Sequence, residues 1–295
     1  MKKSRIQPWI DVTRPKTLPA AAAPVIVGSA LAWSAGSFSL LPAIGAFLGA
    51  LFLQIAVNLA NDYFDFVKGV DTEERLGPQR ATASGLISLK SMRIAIGLVI
   101  LLAVLDGLYL VFIGGIPIIV IGIASILSLL AYSGGPYPLA SHGFGDLFVF
   151  IFFGLVAVCG TFYVQSLSLS PIVILGSLPS AMHITAILVV NNYRDRVTDE
   201  KSGKRTLAVK MGEGATRIEY LLLVLFPYVI PFIFILSGAV NWFLLLPILS
   251  LPMAVPLIKQ VNGQYTGSEL NKTLGGTAKL SLIFGILFSL GLVLG

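Results

Sequence analysis

Two stretches of the chain place acidic and carboxamide side chains directly after long apolar runs: "NLANDYFDFVKGVD" (58–71) and "NNYRDRVTD" (191–199). Asn61 and Asp65 are four positions apart, which on a helix sets them on one face about a turn from each other. Asn191, Asp195 and Asp199 repeat that spacing and stack three oxygen-bearing side chains along one stripe. Four positions beyond Asp65 stands Gly69, a residue suited to ending a helix, and Asp71 follows on a turn that can swing it back to the same point. Carboxylates this close repel, so the pattern calls for a cation. Oxygen donors without His or Cys suit Mg2+ rather than zinc, and Mg2+ favours one or two carboxylates completed by phosphate oxygens. Lys68, Arg75 and Arg80 near the first stretch, and Lys204 and Arg205 near the second, are cations for the other side of a phosphate. The expected ligand is a Mg2+-diphosphate held between two acidic motifs.

The elements that carry these stripes are read from composition. Of 295 residues 56% are hydrophobic and only 12% charged, against roughly 25% charged in a soluble domain. Mean hydropathy is +0.90. Such a chain cannot cover itself with water-compatible side chains, so its solvent is lipid. Nine apolar windows of about 17–25 residues match a ~30 Å hydrocarbon core: 17–36, 39–60, 92–113, 116–133, 145–165, 170–190, 217–237, 240–259 and 275–294. Backbone groups in lipid must pair internally. The expected fold is therefore all-α, a polytopic membrane protein of nine transmembrane helices around a central cavity. The short alternating segments of a β-barrel are not seen, and the first window is too long and too internal for a cleaved signal.

All 20 Lys and Arg fall in the N-terminal segment or in the regions after windows two, six and eight. By the positive-inside rule the N-terminus and the even-numbered loops are cytoplasmic. The net charge of +6 then reflects topology and lipid headgroups; no nucleic-acid partner is expected. A single cysteine, Cys159, excludes an intramolecular disulfide and a cysteine metal cluster. The two long cytoplasmic loops, with Glu219 at the margin of the seventh window, hold ten of the 14 acidic residues, and "NDYFD" (61–65) lies over "NNYRD" (191–195) with Asn, Tyr and Asp at matching offsets. The expectation is one domain, 1–295, of two pseudo-repeated halves with motifs at 58–85 and 191–212, facing a shared cavity. Asp106, a lone acid in the third window, and His183 in the sixth are read as structural.

The paired motifs resemble the UbiA superfamily of intramembrane prenyltransferases. "RPKTLPAAAAPVIVG" (14–28), "GPQRATASGLIS" (77–88), "YSGGPYPLASHGFGDLFVFIFFG" (132–154) and "NNYRDRVTDEKSGKRTLAVKMG" (191–212) extend the likeness over nearly the whole chain. Within the superfamily they look like the branch that prenylates 1,4-dihydroxy-2-naphthoate on the way to menaquinone. Gly69 stands where many members carry an acid, and Ser141 and His142 where many carry a basic residue; both departures look typical of that branch.

The resemblance implies Mg2+ held by Asn61, Asp65, Asp71, Asn191, Asp195 and Asp199, with Asp65, Asp195 and Asp199 as the catalytic acids. It implies a diphosphate leaving group drawn off by Arg14, Lys68, Arg80, Lys204 and Arg205. Tyr132, Tyr137 and His142 would border the aromatic acceptor, and Tyr63 or Tyr193 would face the allylic cation. The implied partners are polyprenyl diphosphate, 1,4-dihydroxy-2-naphthoate and membrane lipid, and the product is demethylmenaquinone. The implied place is a bacterial inner membrane, with the active site on the cytoplasmic side. Another acceptor, such as 4-hydroxybenzoate or homogentisate, is the nearest alternative. A CDP-alcohol phosphotransferase wants an Asp-Gly-x-x-Ala-Arg signature that the chain lacks. A solute carrier predicts acids at mid-bilayer depth, where only Asp106 lies.

Overall fold

The computed structural model describes residues 6–69, 76, 80–238 and 241–295. Each apolar window closes its backbone hydrogen bonds within a helix, as hydrocarbon demands, and no strand occurs among the described residues. A short helix, Gln7–Val12, precedes α1 (Pro19–Ser34), α2 (Leu40–Val67), α3 (Leu89–Gly114) and α4 (Ile116–Ser133). Then come α5 (Gly145–Ser166), α6 (Pro171–Lys201), α7 (Leu207–Leu236), α8 (Trp242–Gln264) and α9 (Gly267–Leu294).

Eight of these, α2 to α9, are long and apolar enough to cross a membrane. The remaining helix of the nine expected, at the first window, is shorter. There α1 has 16 residues, about 24 Å at 1.5 Å per residue, short of a full hydrocarbon core. The chain upstream is broken by a left-handed residue, Arg14 (φ 53°), and a single tight turn at Pro15–Thr17, so the helix cannot start earlier.

The motif-bearing helices outrun their apolar windows. α2 continues through Asn61 and Asp65 to Val67 and ends where Gly69 takes φ +65°, a left-handed position that glycine reaches without steric cost. α6 runs 31 residues, through Asn191, Asp195 and Asp199 to Lys201. α7 bends at Gly212 and carries Lys210, Glu213 and Arg217 in its first turns before its apolar length, which is why the apolar window begins only at 217. α5 contains a widened, π-helical turn at Phe150–Val156.

Packing divides the bundle into two bodies. Val27, Leu31, Val158, Val189, Val190, Tyr220, Ile230, Leu244, Phe284 and Phe288 form a large core joining α1 with α5 to α9. Ala56, Leu59, Met92, Ile96 and Leu129 form a second core from α2, α3 and α4, to which Val12, Ala81 and Ile87 add. α3 turns most of its apolar surface outward, with Leu98, Leu101, Leu105 and Phe112 exposed, as a lipid-facing helix should. α6 is the most enclosed. Where it meets α5, the backbones approach so closely that a Cβ on Gly154 would lie 2.1 Å from Ala181 Cα, the small-residue contact that membrane helices use in place of a hydrophobic drive.

Gly154→Val is expected to force α5 and α6 apart, with the roughly 1–3 kcal/mol loss typical of overpacking or more. Thermal unfolding of the detergent-purified variant checks this, and an unchanged midpoint would refute the contact.

Candidate active site

A cavity of about 660 Å³ opens along the seam between the two packing bodies. One end is polar and takes its side chains from both motifs: Asn58, Asn61 and Asp65 from α2, and Asn191, Asn192, Asp195 and Asp199 from α6. Arg14, Arg80, Lys204 and Tyr132 complete that end. The remainder is apolar and runs between α3, α4 and α5, past Val104, Leu108, Ile119, Ile123, Phe148, Phe152 and Phe153. The two stripes therefore face one space, as their spacing and their place at the ends of α2 and α6 imply.

Ionic contacts hold this end together. Asp65 is buried and accepts a short hydrogen bond from Arg80. It also lies 3.4 Å from the Lys204 ammonium, so a residue just beyond the second motif reaches the acid of the first. Lys204 is placed by its own backbone, whose N–H donates to Asp199 O at 2.8 Å in the turn that ends α6. Arg80 is placed through Asp62: this buried carboxylate accepts from the backbone N–H groups of Ala81 (3.1 Å) and Thr82 (3.0 Å) and from the Thr82 hydroxyl. Asn61 accepts from the Ser133 hydroxyl at 2.6 Å, and Asn58 donates to Thr13 O at 2.9 Å, which ties α2 to α4 and to the N-terminal segment. Arg14 keeps its left-handed backbone through Thr17, whose N–H and hydroxyl donate to Arg14 O at 2.8 and 2.9 Å. A non-glycine residue held there costs of order 1–2 kcal/mol and marks a functional candidate; Arg14 lines the cavity.

Four expected site residues stand elsewhere. Lys68 sits at the rim, where its ammonium donates to the carbonyls of Ser133 (2.7 Å) and Gly135 (3.0 Å) instead of lining the cavity. Burial draws that ammonium below the usual lysine range; Asp65 opposes the shift and Lys204 adds to it. Arg205 is exposed, and what it fixes is the chain: its backbone N–H donates to Ser141 O at 2.8 Å. Tyr137 and His142 stack on each other with ring centroids 3.5 Å apart, and His142 Nδ1 lies 2.7 Å from Pro138 O. Neither lines the cavity; their neighbours Ala140 and Ser141 do. For Lys68, Tyr137 and His142 a carbonyl or an adjacent ring took the side chain in place of the cavity, and no spacing rule foretells that.

Tyr63 and Tyr193 also miss the wall. Tyr63 packs edge-on against Phe64 with centroids 5.2 Å apart, and the Tyr193 hydroxyl donates to Glu213 at 3.1 Å. The rings that do face the cavity, besides Tyr132, are Phe148, Phe152 and Phe153. Their only trace in the sequence is the four-residue step in "FVFIFF" (148–153). Asp106 lines the deeper part of the same cavity. Asp71 and Arg75 lie outside the described residues.

The donor set fits Mg2+. Asn61, Asp65, Asn191, Asp195 and Asp199 present only oxygen ligands to the space, the hard donors this ion prefers. Among the described residues no three His, Cys, Asp or Glu side chains form a ready-made cage; an ion that shares its shell with a diphosphate does not need one. Replacing Asp62 by Ala removes three hydrogen bonds to one charged acceptor, each worth about 1.5–3 kcal/mol. The variant is expected to lose several degrees of thermal midpoint and to become more susceptible to trypsin near Arg80, as limited proteolysis with mass mapping will show.

Residues 21–283 match the UbiA prenyltransferase family. The chain is 36% identical over 297 residues to a protein of Escherichia coli named 1,4-dihydroxy-2-naphthoate octaprenyltransferase, covering 99% of this chain and 96% of that one. It is 35% identical over 303 residues to the Haemophilus influenzae protein of the same name, covering 100% and 98%. In fold it is similar to a UbiA homolog from Archaeoglobus fulgidus bound to GPP and Mg2+, with TM-score 0.65, 16% identity and coverage of 98% of this chain and 100% of that one. With two acidic stripes over one intramembrane cavity and a match that spans nearly its whole length, the chain belongs to the UbiA prenyltransferase family.

Proposed function

We propose that this protein transfers a polyprenyl group from polyprenyl diphosphate to 1,4-dihydroxy-2-naphthoate, with release of pyrophosphate and CO2. The observation that carries the reading is the single cavity whose polar end is built by both acidic stripes and crossed by the Lys204–Asp65 contact. The acceptor is supported by the full-length relatives of Escherichia coli and Haemophilus influenzae and by their names.

In the reaction the allylic C–O bond to the diphosphate breaks and a C–C bond to the naphthoate ring forms. The ring then loses its carboxyl group as CO2, any proton shed at the attacked carbon being matched by one taken up at the carbon that loses CO2, which leaves demethylmenaquinone at the hydroquinone level. Asn61, Asp65, Asn191, Asp195 and Asp199 would hold Mg2+, which when bound neutralises the diphosphate and eases its departure. Arg14, Arg80 and Lys204 face the same end of the cavity and stabilise the charge that develops on the leaving group. Tyr132 and the rings of Phe148, Phe152 and Phe153 line the stretch next to it, where aromatic faces attract an allylic cation and water is kept away. The apolar remainder of the cavity takes the prenyl tail.

The support for Mg2+ is the oxygen-only donor set together with the Archaeoglobus fulgidus homologs described as bound to GPP and Mg2+ or DMAPP and Mg2+. In this reading nine helices, α1 included, embed the protein in a bacterial inner membrane. The end rich in Lys and Arg, and with it the active site, faces the cytoplasm by the positive-inside rule.

Purified protein given short-chain prenyl diphosphate and 1,4-dihydroxy-2-naphthoate is expected to form a prenylated, decarboxylated lipid, identified by mass spectrometry. Prenylation of 4-hydroxybenzoate or homogentisate in its place would overturn the acceptor; absence of pyrophosphate release with all three would overturn the reaction. Asp65→Ala and Asp195→Ala should each lower turnover at least a hundredfold with the protein still folded. EDTA should abolish activity and excess Mg2+ restore it; activity that persists in EDTA would remove the ion from the reading.

A further inference from the structure

The second motif contains a residue that does not line the cavity and was counted in the sequence only as a cytoplasmic positive charge. Arg194 is buried behind the wall, its side chain 1% exposed. Its Nε donates to Asp195 Oδ1 at 2.8 Å and its NH2 to Asp195 Oδ2 at 2.6 Å, so the guanidinium grips both carboxylate oxygens. The same NH2 donates to Asn191 Oδ1 at 2.9 Å, and NH1 donates to Asn271 Oδ1 at 2.6 Å. Four of the five N–H bonds of the group are thereby engaged. A two-point grip fixes the plane of a carboxylate in a way that a lysine ammonium, as a point charge, cannot.

Asn271 carries the connection further. It stands near the start of α9, outside both motifs, and its Nδ2 donates to Leu76 O at 3.1 Å and to Ser268 O at 2.9 Å. Leu76 belongs to the loop that follows the first motif and leads to Arg80, the partner of Asp65. One carboxamide thus accepts from the second motif and donates to the loop of the first. Aspartate offers only the acceptor, and leucine neither.

We infer that Arg194 and Asn271 are positioning residues: Arg194 holds Asn191 and Asp195 at the cavity wall, and Asn271 locks Arg194 to the loop of the first motif so that both halves engage one diphosphate together. The inference rests on the diphosphate reading of the cavity and adds to it a link through α9. Its consequence falls on the diphosphate and spares the acceptor side of the polar end, where Tyr132, Ala140 and Ser141 stand.

The test uses the purified full-length protein with Arg194→Lys, Asn271→Asp and the double variant. Asn271 is exposed, so Asn271→Asp is expected to fold; it keeps the acceptor for Arg194 and loses the donor to Leu76. Expected are a KM for prenyl diphosphate raised tenfold or more in Arg194→Lys and about fivefold in Asn271→Asp, with the KM for naphthoate within twofold of wild type. The double variant should be no worse than Arg194→Lys, because residues of one network do not add. A second readout needs no turnover: inorganic pyrophosphate with MgCl2 should raise the thermal midpoint of the wild type and do so less in each variant. Equal rises in both KM values would reveal a merely structural role and overturn the inference. So would unchanged diphosphate KM and unchanged pyrophosphate stabilisation in folded variants. Should the wild type itself neither turn over nor respond to pyrophosphate, the diphosphate reading would fall first, and this inference with it.

Discussion

A carboxylate at the edge of a hydrocarbon layer has little water to solvate it, and the rest of this structure follows from how that cost is met. Asp65 is set against Arg80 and Lys204, and Asp195 against Arg194. For Asp65 both cations come from loops outside its own helix, so neutralising that acid also folds the chain around it, whereas Arg194 is the helical neighbour of Asp195. Removing one member of such a buried pair strands the other, at a cost of about 3–5 kcal/mol. The ionic contacts therefore do two things: they permit acids to stand beside an apolar cavity, and they set the distance across which the two motifs face each other.

The cavity exists because the bundle is not one core. α2, α3 and α4 pack among themselves, while α1 and α5 to α9 pack around α6. The seam between two separately packed bodies is the natural place for an internal space that tolerates a long apolar guest, because neither body needs to fill it to be stable. At the polar end the seam is bridged by Lys204–Asp65, while Ser133–Asn61 and Asn58–Thr13 brace α2 within its own body. Further in, the wall is made of side chains such as Val104, Leu108, Ile119 and Ile123, which hold nothing by hydrogen bonds.

What the sequence made legible was periodic. Four-residue spacing placed Asn61 with Asp65 and Asn191 with Asp195 and Asp199, and all five line the cavity. The end of α2 at Gly69 was readable from the backbone freedom of glycine. What stayed hidden depended on competition among partners. Lys68 had two backbone carbonyls within reach, and His142 had a carbonyl and the ring of Tyr137; local partners took side chains that loop position and the family resemblance had assigned to the ligands. Arg194 was hidden for another reason. Neighbours in a helix normally point apart, so its grip on the adjacent Asp195 contradicts the spacing rule that revealed the stripes. The first helix is shorter than its window because hydropathy does not see a left-handed residue at Arg14.

The widened turn of α5 at Phe150–Val156 has a bearing on how such a wall is tuned. A regular helix advances about 100° per residue, so two rings adjacent in sequence diverge. In this segment Phe152 and Phe153 both line the chamber, as does Phe148 before them and Gly160, Thr161 and Val164 after them. The extra residue in the turn works as a phase shifter. It turns the outer half of α5 relative to the inner half without breaking the rod, so that the lining nearest the acids and the lining of the far compartment can drift independently. A lineage that gained or lost that one residue would re-dial the shape of the guest's berth at a stroke while leaving every charged side chain where it stands.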